Sequence, residues 1–114
     1  MKIDFMKDSS GTPVAKAESS EALLAAFLET DLQGDPGMCR EVLTFLKQAK
    51  KKYKKGGGAE RQLSFSGNGH VLEARKNEII ISSQYDDTLS PYHLKRKKLK
   101  KIVKRWLKFI ETGE

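Results

Sequence analysis

The chain has 114 residues, of which 38% are hydrophobic and 32% are charged, a size and mix typical of one folded domain. Its single cysteine, Cys39, excludes an internal disulfide framework and any multi-cysteine zinc or iron–sulfur site. The longest purely apolar run, 22–28, is far shorter than the roughly 20 residues that a membrane-spanning helix needs. Because the acidic Asp4 stands where a signal peptide would be basic and then apolar, we expect a cytoplasmic protein without a membrane span.

The net charge of +7 is distributed unevenly along the chain. Residues 1–37 contain three lysines and seven carboxylates, so their net charge is −4 and the remainder carries +11. Two clusters, within 47–55 and 95–108, contain 15 of the 22 basic residues. This asymmetry predicts a strong local positive field that attracts polyanions.

The first half of the sequence predicts a β-hairpin followed by two helices. A strand beginning at Ile3 and a second strand over 12–17 form the hairpin, and Pro13 places the second strand at a sheet edge. Ser19 or Ser20 can cap the first helix, whose apolar residues predict that it is well buried. The second helix is predicted from about Pro36 to Lys54, ending at the glycines 56–58. Its polar face carries four lysines: Lys47, Lys50, Lys51 and Lys54.

The second half predicts three strands and a terminal helix. Gly67–Gly69 tolerates positive φ and predicts a hairpin turn, and Ile79–Ile81 is typical of a central strand. Ser90-Pro91 predicts the start of a helix over about 91–111, with Trp106 in the apolar stripe and therefore in the core. The opposite face of this helix is basic, with Lys97, Lys100, Lys101, Lys104, Arg105 and Lys108.

These elements follow the order β-β-α-α-β-β-β-α. The order predicts a single α+β domain over residues 1–114, with a mainly antiparallel sheet covered by helices and a basic amphipathic helix at its end.

Residues 3–32 also carry the pattern of a known family. Asp4–Asp8 and then Gly11 precede a strand, and the apolar helix that follows, 21–32, ends on acidic residues. In this pattern the chain resembles the YacL-like family of small bacterial proteins, and the later hairpin and terminal helix occupy similar places. Since that family has no established activity, the resemblance implies a fold and no particular function.

The residue types that carry catalysis are sparse and scattered. His70 and His93 lie on different predicted elements, and we expect both to be partly exposed polar residues. Cys39 begins the second helix, where the helix dipole could lower its pKa, but no partner base is apparent. Asp86 and Asp87 are predicted to form a turn rather than a Mg²⁺ site. We therefore predict a protein that is not an enzyme and has no cofactor or metal.

The basic clusters are the main functional signal. They predict a binding module that contacts RNA, DNA or a nucleoprotein, chiefly through the terminal helix. Because lysine outnumbers arginine, we expect no strong sequence selectivity. Two alternatives stay open: an inhibitor-type or immunity-type module that docks on an acidic protein, and a membrane-surface helix, which would require Trp106 to be exposed. The predicted contacts are Lys97, Lys100, Lys101, Lys104, Arg105, Lys108, Lys47, Lys50, Lys51 and Lys54.

Overall fold

The computed structural model describes residues 3–54 and 63–113, which form two antiparallel sheets and three helices. The predicted α+β class and order of elements are confirmed, with one additional short strand before the last helix. The elements are β1 (Ile3–Lys7), β2 (Pro13–Ala17), α1 (Ala22–Phe27), α2 (Pro36–Lys54), β3 (Ser64–Ser66), β4 (His70–Ala74), β5 (Glu78–Ser83), β6 (Tyr92–Lys95) and α3 (Arg96–Thr112).

The strands form two sheets, and no strand of one sheet pairs with a described strand of the other. β1 and β2 form the predicted hairpin, in which Pro13 stands at the last pair, opposite Lys7. The second sheet has the order β3-β4-β5-β6 with every neighbouring pair antiparallel, so β5 is an interior strand as predicted. Alternate residues of β4 and β5 are buried on one face, and this face belongs to the core: Leu72, Ala74, Ile79 and Ile81.

The terminal helix begins at Arg96, so the predicted start near residue 91 is wrong. Residues 92–95 instead extend the sheet, with Leu94 opposite Ile79 on its buried face. Pairing β6 with β5 satisfies backbone groups that would otherwise form an open sheet edge, and this outweighs the helix-start signal of Ser90-Pro91. His93 consequently lies on a strand, where its Nδ1 contacts the Glu78 carboxylate.

The first helical segment is less regular than predicted. A 3₁₀ turn, Ser19–Glu21, precedes α1, and a π-helical turn, Leu28–Leu32, follows it. No serine caps the segment, because Glu18 occupies the cap position without a side-chain hydrogen bond. The predicted burial of α1 is confirmed by Leu24 and Phe27, whose side chains are inaccessible to solvent.

The second helix, α2, has the predicted bounds. Asp35 caps it: its Oδ1 accepts hydrogen bonds from the backbone N–H of Gly37 at 2.9 Å and of Met38 at 3.3 Å. The predicted termination at 56–58 lies outside the described residues.

Trp106 joins α3 to the rest of the core. Its side chain is fully buried, as predicted, and its ring meets Phe5 of β1 edge-on with centroids 5.0 Å apart. Its Nε1–H donates to the Gln33 carbonyl oxygen at 2.8 Å. Because Trp106 packs inside the protein, the membrane-surface alternative loses its exposed aromatic. No helix in the described part of the chain is both long and apolar enough to cross a membrane.

Candidate nucleic-acid interface

A groove lies between α2 and α3, which run antiparallel. The beginning of α2 meets the end of α3, where Arg40 Nη2 forms an ion pair with Glu111 Oε2 at 2.8 Å. The second half of α2 therefore lies beside the first half of α3. These two helix halves carry the two basic clusters, so the fold brings the clusters together on one surface.

The groove has a volume of about 780 Å³ and is lined by cations from both helices. Leu43 and Leu46 of α2 also line it; Leu46 is buried and Leu43 is half-buried. The basic residues on its walls are Lys47, Lys50 and Lys51 from α2 and Arg96, Lys97, Lys100, Lys101 and Lys104 from α3. The terminal helix, which was predicted to have the main role, therefore forms only one of the two basic walls of the groove.

The seven groove lysines are all exposed to solvent. Within residues 3–54 and 63–113, no carboxylate forms an ion pair with any of them. Neighbouring like charges repel and raise the free energy of the folded state. An anion that enters the groove relieves this repulsion, so the arrangement favours polyanion binding.

The position of the α3 lysines is also costly for the helix itself. Arg96, Lys97 and Lys98 occupy the first turn, at the positive end of the helix dipole, and that turn contains no acidic residue. Each misplaced charge costs roughly 0.3–1 kcal/mol of helix stability. Helix stability therefore does not account for these charges. In α2 the lysines lie toward the C-terminal end, where the dipole favours them.

Two of the predicted contacts lie away from the groove. Arg105 and Lys108 line a second cleft with Asp4 and Phe5. The Arg105 guanidinium lies 4.8 Å from the centroid of the Phe5 ring and donates to the Ile3 carbonyl oxygen at 3.3 Å. Through these two contacts, Arg105 connects α3 to β1. Of the six basic residues predicted on the terminal helix, four therefore line the groove and two line the second cleft. The Lys54 side chain lies outside the described residues.

Arg96 is a groove residue that sequence reasoning missed. Its Nη1 donates to the Lys76 carbonyl oxygen and its backbone N–H donates to that of Asn77, both at 2.9 Å. These bonds fix the start of α3 against the turn between β4 and β5. The signal available in the sequence was the position of Arg96 one residue before Lys97, at the head of the basic run.

His70 is buried, and the prediction that it is partly exposed is wrong. His70 is 6% exposed and Asp31 is 2% exposed. The Nδ1 atom of His70 lies 2.7 Å from Oδ1 of Asp31. Oδ2 of Asp31 accepts the backbone N–H of Gly69 at 3.1 Å and of His70 at 3.0 Å. Both carboxyl oxygens thereby have hydrogen-bond partners, which is the condition for burying a polar group. The signal was an acidic residue at helical spacing from Leu28 and Phe27, on the apolar face.

The turn at Gly67–Gly69 needs glycine for a reason other than the predicted positive φ. Among the described glycines only Gly11 and Gly113 have positive φ. A Cβ at Gly67 would instead lie 2.1 Å from Oδ2 of Asp31, which is closer than atoms can approach. The turn therefore packs directly on the Asp31 carboxylate.

Two other side chains that the sequence analysis considered for chemistry are Cys39 and Asp86. The Cys39 thiol is buried, and burial, with a smaller contribution from the Asp35 charge, raises its pKa to about 11, opposite to the lowering that a helix start could produce. Asp86 accepts the Thr88 backbone N–H at 3.1 Å and forms the predicted turn. No group of three or more possible metal ligands occurs among the described residues.

No protein-family model matches the chain, and searches of curated proteins and of solved structures find no match. The resemblance of residues 3–32 to the YacL-like family stays a prediction, and function is inferred from the geometry of the site.

Proposed function

We propose that this chain is a cytoplasmic, non-enzymatic module that binds nucleic acid in the groove between α2 and α3. The observation that carries the proposal is the convergence on one groove of seven exposed lysines from two helices, none of which forms an ion pair within the described part of the chain. Lysines that neutralise phosphates release condensed counterions, and this release supplies most of the affinity of sequence-independent binding.

The chemistry of the groove supports binding without strong sequence selectivity. Lysine is a flexible point charge, whereas reading a guanine edge favours the planar fork of arginine. Arg96, the one arginine among the lining residues, already donates to Lys76. The groove therefore offers phosphate contacts, which position a ligand without specifying its sequence.

The test is fluorescence anisotropy with two unrelated DNA duplexes and one structured RNA across a salt series. We expect similar affinities for the two duplexes and, for about three engaged lysines, a log–log salt slope of roughly −2.7. Absence of binding to all three ligands near 50 mM salt, at tens of micromolar protein, would overturn the proposal.

One observation favours the alternative of an acidic protein partner. Leu43 is half-buried at the groove, where an apolar side chain of a partner could pack. A native pull-down with and without nuclease separates the two functions. Capture that survives nuclease, together with no binding to the three nucleic acids, would support the protein partner.

A further inference from the structure

We infer that the ligand of the groove is a single phosphodiester strand, bound by its phosphates with its bases pointing away from the protein. This inference rests on the proposed function and narrows its substrate class. Its basis is the shape of the groove and the position of the cations on both walls.

The close packing of the two helices favours one strand over two. Packed helices have axes about 8–10 Å apart, whereas the major groove of a DNA duplex alone is about 12 Å wide. A duplex can therefore present only one of its strands at the rim of the groove. A single strand can lie between the walls and contact Lys47, Lys50 and Lys51 on one side and Lys97, Lys100, Lys101 and Lys104 on the other.

The length of the groove sets the size of the bound segment. From Arg96 to Lys104, α3 rises about 12 Å at 1.5 Å per residue. A stacked strand carries one phosphate about every 3.4 Å, so the walls span about four phosphates. We expect affinity to increase with oligonucleotide length and to level off at about four to six nucleotides for one protein molecule.

The lining of the groove gives the bases no partner. Single-strand proteins that use bases stack them on aromatic side chains, and the residues lining this groove include no aromatic. Phosphate contacts alone predict that removing the bases leaves affinity nearly unchanged. An abasic deoxyribose-phosphate oligomer is therefore the diagnostic ligand.

The experiment compares three ligands with equal numbers of phosphates: oligothymidine, the abasic oligomer and a duplex. We expect the abasic oligomer to bind within about twofold of oligothymidine, and the duplex to bind at least about fivefold more weakly because one wall loses its contacts. The salt slope for oligothymidine should be close to −2.8 for about four contacts. Inorganic polyphosphate serves as a further arm that distinguishes a phosphate chain from a nucleotide strand, and a strand preference requires oligothymidine to bind at least as tightly as polyphosphate of equal charge.

Variants of the two walls test the geometry. Lys47→Gln with Lys50→Gln and, separately, Lys97→Gln with Lys101→Gln should weaken oligothymidine binding by similar factors. The matched control is Lys16→Gln with Lys98→Gln, which removes the same charge from exposed positions outside the groove and should change affinity less than twofold. Circular dichroism verifies that each variant is folded.

The results separate this inference from the proposed function. Tightest binding to the duplex, a large loss with the abasic oligomer, tighter binding to polyphosphate, or an effect confined to one wall would overturn the single-strand inference while nucleic-acid binding stands. Absence of binding to every polyanion would overturn both.

Discussion

Trp106 makes contacts with two other parts of the fold at once. It packs on Phe5 of β1 and donates to the Gln33 carbonyl, so it holds the hairpin and the end of the π-helical turn against α3. Gln33 has φ +51, an unfavourable conformation for a residue other than glycine. The Trp106 hydrogen bond helps to hold this backbone in place.

We expect Trp106→Ala to lower the free energy of unfolding by about 3–5 kcal/mol, because it leaves a large cavity and an unpaired carbonyl. Trp106→Phe is the matched control: it keeps an aromatic ring and loses the Nε1–H donor, so its cost should be clearly smaller. Urea denaturation measures both. A Trp106→Ala protein as stable as the parent would show that this side chain does not hold the core.

Asp31 is the buried charge on which the turn between β3 and β4 depends. Asp31→Asn keeps one oxygen acceptor, replaces the other with an N–H donor, and so weakens the acceptor of the Gly69 and His70 backbone N–H groups. We expect a loss of roughly 3 kcal/mol in the free energy of unfolding. Asp87→Asn, at an exposed loop position, should change stability by less than about 0.5 kcal/mol in the same denaturation assay. Equal costs for both variants would contradict the role of Asp31.

The buried thiol of Cys39 makes the free energy of unfolding depend on pH in the alkaline range. Its pKa is raised from 9.0 to about 11 by burial, so between these values the unfolded chain loses the proton and the folded protein keeps it. The contribution of the protonated thiol to the free energy of unfolding is fully present below pH 9. It falls by about 2–3 kcal/mol as the pH rises toward 11. Denaturation at pH 8.5 and 10.5, with Cys39→Ala as the reference, measures it. A constant difference between parent and variant would contradict the raised pKa.

At the residue scale, periodicity identified Trp106 as core but did not reveal the Asp31–His70 pair. The two residues are 39 positions apart, and neither belongs to a motif that announces a partner. Their pairing depends on how the π-helical turn meets the turn between β3 and β4. Only the folded chain determines that approach.

At the scale of elements, α3 combines a favourable apolar stripe with an unfavourable first turn. Lys97 and Lys98 both oppose the helix dipole, but only Lys97 lines the groove. The two positions therefore separate the effect of charge on stability from its effect on binding.

We expect Lys97→Glu and Lys98→Glu each to raise the free energy of unfolding by about 0.5–1 kcal/mol, because a carboxylate suits the helix N-terminus. Lys97→Glu should also weaken nucleic-acid binding by about tenfold or more, whereas Lys98→Glu should change it little. Thermal melting and anisotropy measure the two effects. Equal losses of affinity would indicate that net charge, rather than the groove, controls binding.

The start of α2 was predictable because Asp35 and Pro36 are local signals that act within one turn. The start of α3 was not, because the choice between strand and helix at 92–95 depends on pairing with β5. The groove, like the start of α3, depends on contacts between distant parts of the chain. Each basic cluster is visible in the sequence, but the antiparallel contact of α2 and α3 that joins them is a tertiary feature.

At the scale of the whole molecule, the net charge of +7 and the seven exposed groove lysines make self-repulsion part of the folded-state energy. Screening shortens from about 30 Å at 0.01 M salt to about 8 Å at 0.15 M. We expect the melting temperature to rise by a few degrees over this range. Lys50→Gln with Lys101→Gln should reduce the rise. A melting temperature that falls with salt would mean that surface ion pairs dominate.

The two walls of the groove are separated in sequence by the whole four-stranded sheet. The site therefore consists of non-local contacts, and it forms only when the cooperative folding reaction is complete. A ligand present at about 100 times its dissociation constant adds about 2.7 kcal/mol to the stability of the entire domain. Occupancy of the groove and integrity of the fold are thus linked equilibria, so a substitution that loosens the sheet weakens binding without altering any lysine.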